Sequence, residues 1–129
     1  MIQTSCPFCH LDQTCIHLQN EVAAAFPDAF PVTEGHMLVI PKWHVGSLFE
    51  LPEEEQASLW KLVTMVRTKL QDELKPDGFN IGVNDGSAAG QTVMHAHVHV
   101  IPRRKGDVPD PRGGIRWIVP GKARYWAEG

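Results

Sequence analysis

Three histidines stand two residues apart late in the chain, in the stretch "GQTVMHAHVHVIPRRKGD" at 90 to 107. In an extended strand the side chains alternate faces, so His95, His97 and His99 share one face, spaced roughly 7 Å apart along it. Ala96, Val98 and Val100 point the other way and suit a packed core under a helix. A neutral imidazole, with an ordinary pKa near about 6.5, is a nucleophile at neutral pH once its other nitrogen is held. Two other readings stay open on these residues alone. His-x-His on a strand can bind zinc with a third ligand, or the histidine face can simply meet water.

The preceding loop, "DGSAAGQT" at 85 to 92, favours chemistry on an anion. Gly86 and Gly90, with the small residues Ser87, Ala88 and Ala89, would let backbone N–H groups approach a negative group closely. Gln91 and Thr92 add side-chain donors, and Asn84 stands at the other edge. Such a cradle beside imidazoles suits a phosphate ester.

A second constellation lies near the start, Cys6-Pro7-Phe8-Cys9. Two cysteines at this spacing are half of a tetrahedral zinc site or a redox pair. The redox reading is weak because no βαβ pattern surrounds them. Three cysteines in all argue against a closed disulfide framework. Cys15 and His17 are close enough in sequence to complete a local site, with His10 as a further neighbour.

These groups need elements to hold them. The clearest helix is 52 to 74, with Pro52 at its first position and Glu53, Glu54 and Glu55 complementing the positive end. Leu59, Leu62, Val63, Val66, Leu70 and Leu74 draw one apolar face. "GHMLVIP" at 35 to 41, "FNIGVN" at 79 to 84 and "VMHAHVHVI" at 93 to 101 read as strands, the last stopped by Pro102. "EVAAAFPDAF" at 21 to 30 reads as a strand, a turn and a second short strand. Residues 1 to 18 read as a loop-like knuckle, and 108 to 129 as a tail carrying the short apolar piece "IRWIV". Strands, one long helix and more strands predict an α+β fold with a mostly antiparallel sheet. With 129 residues, one domain spanning 1 to 129 is expected. A net charge of −3 gives no footprint for nucleic acid. No apolar run is long enough for a membrane span, and the first residues do not read as a signal peptide. A cytoplasmic setting is the expectation.

The stretch "GQTVMHAHVHVIPR", with "EGHMLVIPKWHV" at 34 to 45 and "FNIGVNDGSAAGQT" at 79 to 92, resembles the histidine triad superfamily, from about Cys6 to Asp107. That resemblance implies a sheet of about five antiparallel strands with one long helix and a shorter one, extended across a homodimer. It implies nucleotidyl hydrolysis or transfer by double displacement on a small-molecule nucleotide. His97 would attack the α-phosphorus and form a nucleotidyl-histidine, which water resolves to a nucleoside monophosphate, AMP by analogy. His99 would bind phosphate oxygens, with Gln91 and the loop amides, including Gly90, stabilising charge and Thr92 donating toward the leaving oxygen. His36 would stand behind the triad, and Asn84 would orient the loop or touch phosphate. Asp28 would hold the ribose, and Phe8, Phe26, Ala29 and Leu38 would wall the base. His99, where the transferase branch has glutamine, favours the hydrolases. Some relatives pair Cys-x2-Cys with the histidine after "IPK" and the first triad histidine, which makes Cys6, Cys9, His44 and His95 a structural zinc set here. The resemblance also brings Trp117 and Trp126 near a partner's pocket, with core packing as the alternative. Two rival readings remain: a zinc hydrolase with His95, His97 and His99 all on a catalytic metal, and a nucleotide-binding scaffold with little turnover.

Overall fold

The apolar positions at steps of three and four become helix α1, Glu53–Leu74, in the computed structural model, which describes residues 5–126. Parts of the expected knuckle and tail, residues 1 to 4 and 127 to 129, lie outside the described residues. Pro52 sits one place before the helix, as its N-cap. Lys75 ends α1 in the left-handed conformation, with its amide on Gln71. Leu59, Leu62, Val63, Val66 and Leu70 are buried along one face. Each such side chain, removed from water, contributes about 1.5–3 kcal/mol.

Five strands make one antiparallel sheet: β1 Leu18–Gln19, β2 Ala23–Pro27, β3 Met37–Pro41, β4 Gly78–Val83 and β5 Val98–Arg103, in the order β1-β2-β3-β5-β4. A short helix α2, Pro120–Ala123, follows near the end. The α+β class and the one-long, one-short helix arrangement are as expected.

Three boundaries differ from the sequence reading. Residues 21 to 30 hold one strand, not two. The hairpin lies earlier, where the Asn20 side chain accepts the amides of Val22 and Ala23 and turns β1 into β2. The run 93 to 101 is strand only from Val98, because the preceding segment is tied by isolated bonds, such as the Ala96 amide to the Val45 carbonyl. Pro102 does not stop β5. Its pairing with β3 ends at Val100, so the missing N–H falls where only β4 remains alongside.

The two faces of the sheet are covered differently. Ala25, Val39, Val98 and Val100 pack against Leu59, Leu62, Val63 and Val66 of α1 in the main core. On the opposite face Phe26, Leu38, His99 and Gly82 lie directly opposite one another in successive pairs, forming one row across four strands. The N-terminal segment closes one end of that row: Phe8, Leu11 and Ile16 pack on Ala24, Phe26, Leu38 and Ile40. The C-terminal segment closes the other end, with Ile115 against Gly82. His99 stands between the two covers.

Candidate active site and metal centre

The three histidines do not face one common point. His95 is fully buried, which rules out the reading in which the whole histidine face meets water. Its Nε2 lies 2.9 Å from the Pro41 carbonyl. A carbonyl can only accept, so Nε2 carries the proton and Nδ1 carries the lone pair. That lone pair faces Cys6 Sγ at 3.5 Å and Cys9 Sγ at 3.6 Å. His44 Nδ1 lies 3.3 Å from Cys9 Sγ. Donor atoms of Cys6, Cys9, His44 and His95 all fall within 4.8 Å of one another.

These four residues could hold a metal ion, and their geometry suits zinc. Tetrahedral bonds near 2.3 Å to sulfur and about 2.0–2.1 Å to nitrogen set sulfur and nitrogen about 3.6 Å apart. The observed sulfur–nitrogen distances run from 3.3 to 3.6 Å. The Pro41 carbonyl holds the far nitrogen of His95, the support that ligating imidazoles usually have. Burial pushes the Cys6 thiol up and the His95 imidazole down, so both groups are neutral unless a cation replaces the thiol proton. Cys15, His10 and His17 are exposed and stand outside this cluster. Among the described residues no local site brings them together: His10 and Cys15 end the short helical turns Pro7–His10 and Gln13–Cys15, and His17 follows, all at the surface.

His97 is buried, and its Nδ1 lies 2.7 Å from the carbonyl of His95. The proton therefore sits on Nδ1 and the lone pair on Nε2. The same backbone residue that aims an imidazole at the cysteines thus fixes the tautomer of His97. Phe8, between the two cysteines, sets its ring edge against His97 with centroids 5.2 Å apart, and against Phe26 at 5.4 Å.

His99 belongs to a different group. The Val32 amide donates to His36 Nδ1 at 3.1 Å, which forces the His36 proton onto Nε2. That nitrogen is 3.0 Å from His99 Nδ1 and 3.3 Å from Asp28 Oδ2. His99 Nδ1 must then accept, leaving its proton on Nε2. Asp28 also accepts the Phe30 amide at 2.8 Å. Burial holds both His36 and His99 below the ordinary imidazole value, and Asp28 opposes this only in part. Asp28, His36 and His99 are close enough for a metal, yet the proton required on His36 Nε2 makes them a hydrogen-bond chain instead. The reading with all three triad histidines on one catalytic metal fails on geometry: the lone pair of His95 faces the cysteines and that of His99 faces His36, while His97 alone keeps Nε2 open.

Gln91 departs from its expected role. Its Nε2 donates to the carbonyls of Gly46 and Val93, both at 3.0 Å, and its Oε1 accepts the Gly86 amide. Both donors are spent, so Gln91 staples the loop to the segment before α1. The loop amides of Ala89, Gly90 and Gln91 are also used internally. Gly86 and Gly90 are glycines because both have φ of +99, not because a larger residue lacks room. Thr92 is exposed at the loop's end. Asn84 lines a cavity of about 260 Å³ with His36, His99, Ile101 and Ile115.

Phe8, Phe26 and Leu38 meet on the triad side of the sheet, whereas Ala29 is exposed in the turn after β2. Leu11 and Ile16 complete this apolar group and were missed, since neither falls in a periodic pattern. Trp117 and Trp126 lie in the tail under Arg124 and Arg112, a local packing rather than a core one. The stretch "RRKGD" closes a turn. Asp107 binds Arg103 and the Arg104 amide, which holds its carboxyl well below the usual carboxylate range. Among the described residues no helix is long and apolar enough to cross a membrane.

The HIT-domain family model matches residues 12–106. An uncharacterized HIT-like protein of Mycoplasma genitalium is 41% identical, covering 78% of this chain and 74% of that one. An adenylylsulfatase of Arabidopsis thaliana is 34% identical over 82% of this chain and 56% of its own. A bis(5'-adenosyl)-triphosphatase of Dictyostelium discoideum is 37% identical over 74% of this chain and 64% of its own. Among solved structures, a HIT-family protein from Bacillus anthracis superposes with a TM-score of 0.73 at 37% identity, covering 81% of this chain and 77% of that one. A zinc-bound histidine triad protein from Mycobacterium smegmatis does so with 0.64 at 37% identity, covering 82% and 81%. With the matched segment spanning most of the sequence and the fold in agreement, this chain belongs to the histidine triad, or HIT-domain, family.

Proposed function

We propose that this chain hydrolyses nucleoside phosphates that carry a leaving group on the α-phosphorus, and that His97 is the nucleophile. The observation that carries the reading is the 2.7 Å contact from His97 Nδ1 to the His95 carbonyl, which bares Nε2. Relatives named as an adenylylsulfatase and a bis(5'-adenosyl)-triphosphatase support the class of substrate.

The steps balance simply. Nε2 of His97 bonds to phosphorus while the bond to the leaving group breaks, and the leaving group departs with the electron pair and takes a proton from solvent, which the attacking water of the second step gives back. Water then attacks phosphorus, the P–N bond breaks, and the nucleoside monophosphate, AMP in the simplest case, is released with His97 restored. The Nδ1–H bond to the His95 carbonyl stabilises the positive charge that His97 gains in between. The Nε2–H of His99 donates to a phosphate oxygen, and its neutrality keeps the proton count fixed. Thr92 and Asn84 add donors from the loop's edges. Gln91 acts indirectly, by holding that loop. Asp28 accepts the ribose hydroxyls on the lone pairs its carboxylate keeps free beside His36 and Phe30, and the base lies among Phe8, Phe26 and Leu38.

Cys6, Cys9, His44 and His95 hold a structural zinc in this reading. The ion needs reduced thiols, which suits a reducing compartment such as the cytoplasm. The outer edge of β4, at the end of the sheet, supports a homodimer in which two sheets become continuous.

The test is His97→Ala assayed for AMP release from an adenosine phosphoramidate or a dinucleoside polyphosphate. Loss of at least about 10⁴-fold in turnover is expected, as for other nucleophile deletions. Release at the parent rate would show the assignment to be wrong.

A further inference from the structure

The cysteine pair encloses Phe8, and that residue has two sets of neighbours. Along the chain its neighbours are the candidate metal ligands. Phe8 adjoins Cys9 and lies two residues from Cys6, inside the short helical turn Pro7–His10. The Cys9 amide donates to the Cys6 carbonyl at 3.2 Å and closes that turn, and Pro7 fixes its own φ. In space its neighbours belong to the proposed nucleotide site. The ring stands edge-on to His97, with centroids 5.2 Å apart, and to Phe26 at 5.4 Å, and it packs on the cluster that holds Leu38.

The three members of the proposed base wall are held very differently. Phe26 and Leu38 are buried in β2 and β3 and paired directly opposite each other. Phe8 lies in a segment outside the sheet. Its backbone bonds close turns within the segment itself: Cys9 on Cys6, Cys15 on Asp12, Ile16 on Gln13. Backbone pairing with the sheet is in place at His17, whose amide donates to Ala25. Ahead of that point two features tie the segment down. One is the partly buried side chains of Phe8, Leu11 and Ile16 on the sheet. The other is the convergence of Cys6 and Cys9 on His95 and His44. Sparse apolar contacts alone leave a segment at the low end of local stability. His97 does not depend on this segment. The His95 carbonyl that accepts its proton shares a peptide unit with the Ala96 amide, which donates to Val45, and His95 Nε2 is tied to Pro41.

We propose that the metal site and the nucleotide site are coupled through Phe8: an ion on Cys6, Cys9, His44 and His95 fixes the wall against which the base lies, so metal occupancy sets nucleotide affinity. The proposal rests on the reading above, in which the base lies among Phe8, Phe26 and Leu38, and adds a control on that site. Loss of the ion loosens Phe8 and leaves His97 in place. Linkage makes the effect reciprocal: a bound nucleotide tightens the metal by the same factor by which the metal tightens the nucleotide.

The experiment measures that factor on the intact chain, with zinc and AMP as the probes. AMP affinity is read by titration calorimetry on zinc-loaded protein and on protein stripped with a chelator. Zinc affinity is read by competition with a chromogenic chelator, with and without saturating AMP. Both are repeated with Phe8→Ala, which keeps all four ligands. In the parent, stripping zinc should weaken AMP binding about tenfold, within the range usual for coupled sites, and AMP should tighten zinc by the same factor. Phe8→Ala should still take up stoichiometric zinc, bind AMP about as weakly as the stripped parent, and show almost no coupling. Equal AMP affinity of the loaded and stripped parent would overturn this proposal and leave the nucleotide reading standing. Full coupling in Phe8→Ala would overturn it as well, since that is the result if stripping zinc unfolds the whole chain. If the zinc-loaded parent binds no AMP, the underlying reading falls and takes this inference with it.

Discussion

Two clusters of nearly the same chemistry lie a few residues apart in this protein. One joins Cys6 and Cys9 to His44 and His95; the other joins Asp28 to His36 and His99. Distance alone makes both look like metal sites. Proton positions separate them. In the first, the Pro41 carbonyl takes the His95 proton away from the cysteines, so the lone pairs converge. In the second, the Val32 amide pushes a proton into the middle of the group, so each lone pair already faces a hydrogen. A backbone carbonyl makes a ligand set, and a backbone amide makes a relay. His97, between the clusters, is held by the backbone of one and borders the other through His99, with rings 5.1 Å apart.

The sharpest way to break that contrast is to remove one donor from each cluster. Cys9→Ala should abolish stoichiometric zinc and lower unfolding free energy by about 3 kcal/mol or more, the scale for losing a structural metal. Zinc content by elemental analysis and urea denaturation would check it. His36→Ala should leave zinc content unchanged and lower kcat by roughly 10–100-fold, as supporting residues behind a catalytic group do. Loss of zinc in His36→Ala would show that the clusters are not separate.

Gln91→Ala tests the loop that flanks both. It strands the Gly46 and Val93 carbonyls and the Gly86 amide, at about 1–3 kcal/mol for a group left unpaired. Urea denaturation should show that loss, with zinc retained.

Acidity offers the gentlest probe. His36 and His99 have folded pKa values below 6.5, so as pH falls the unfolded chain takes up their protons first. Their stability contribution is complete above that value and declines as pH drops below it. Denaturation of the zinc-loaded protein at pH 7.5 and 5.5 should show this loss, and His36→Asn should show less of it.

Much of this was legible in the sequence, for identifiable reasons. The spacing of the triad put Ala96, Val98 and Val100 in the core, as found. The cysteine pair announced a candidate metal site, though only resemblance pointed to His44 and His95 as its partners. What could not be read were hydrogen-bond directions. Nothing local to Gln91 says that it will face two carbonyls instead of a substrate. Nothing local to Ile115 says that it will lie on Gly82, because that contact joins the short helical turn Gly114–Ile118 to a strand more than thirty residues earlier. Leu11 and Ile16 were missed because each follows a short helical turn, outside any element whose period could carry information.

The most direct test of the account is the mass of the intact protein after rapid acid-free quench during turnover of an adenosine phosphoramidate. The account predicts a transient adduct of one adenylyl group, located at His97 by fragmentation and absent from His97→Ala. Turnover with no adduct at any quench time, or an adduct on His95 or His99, would contradict it.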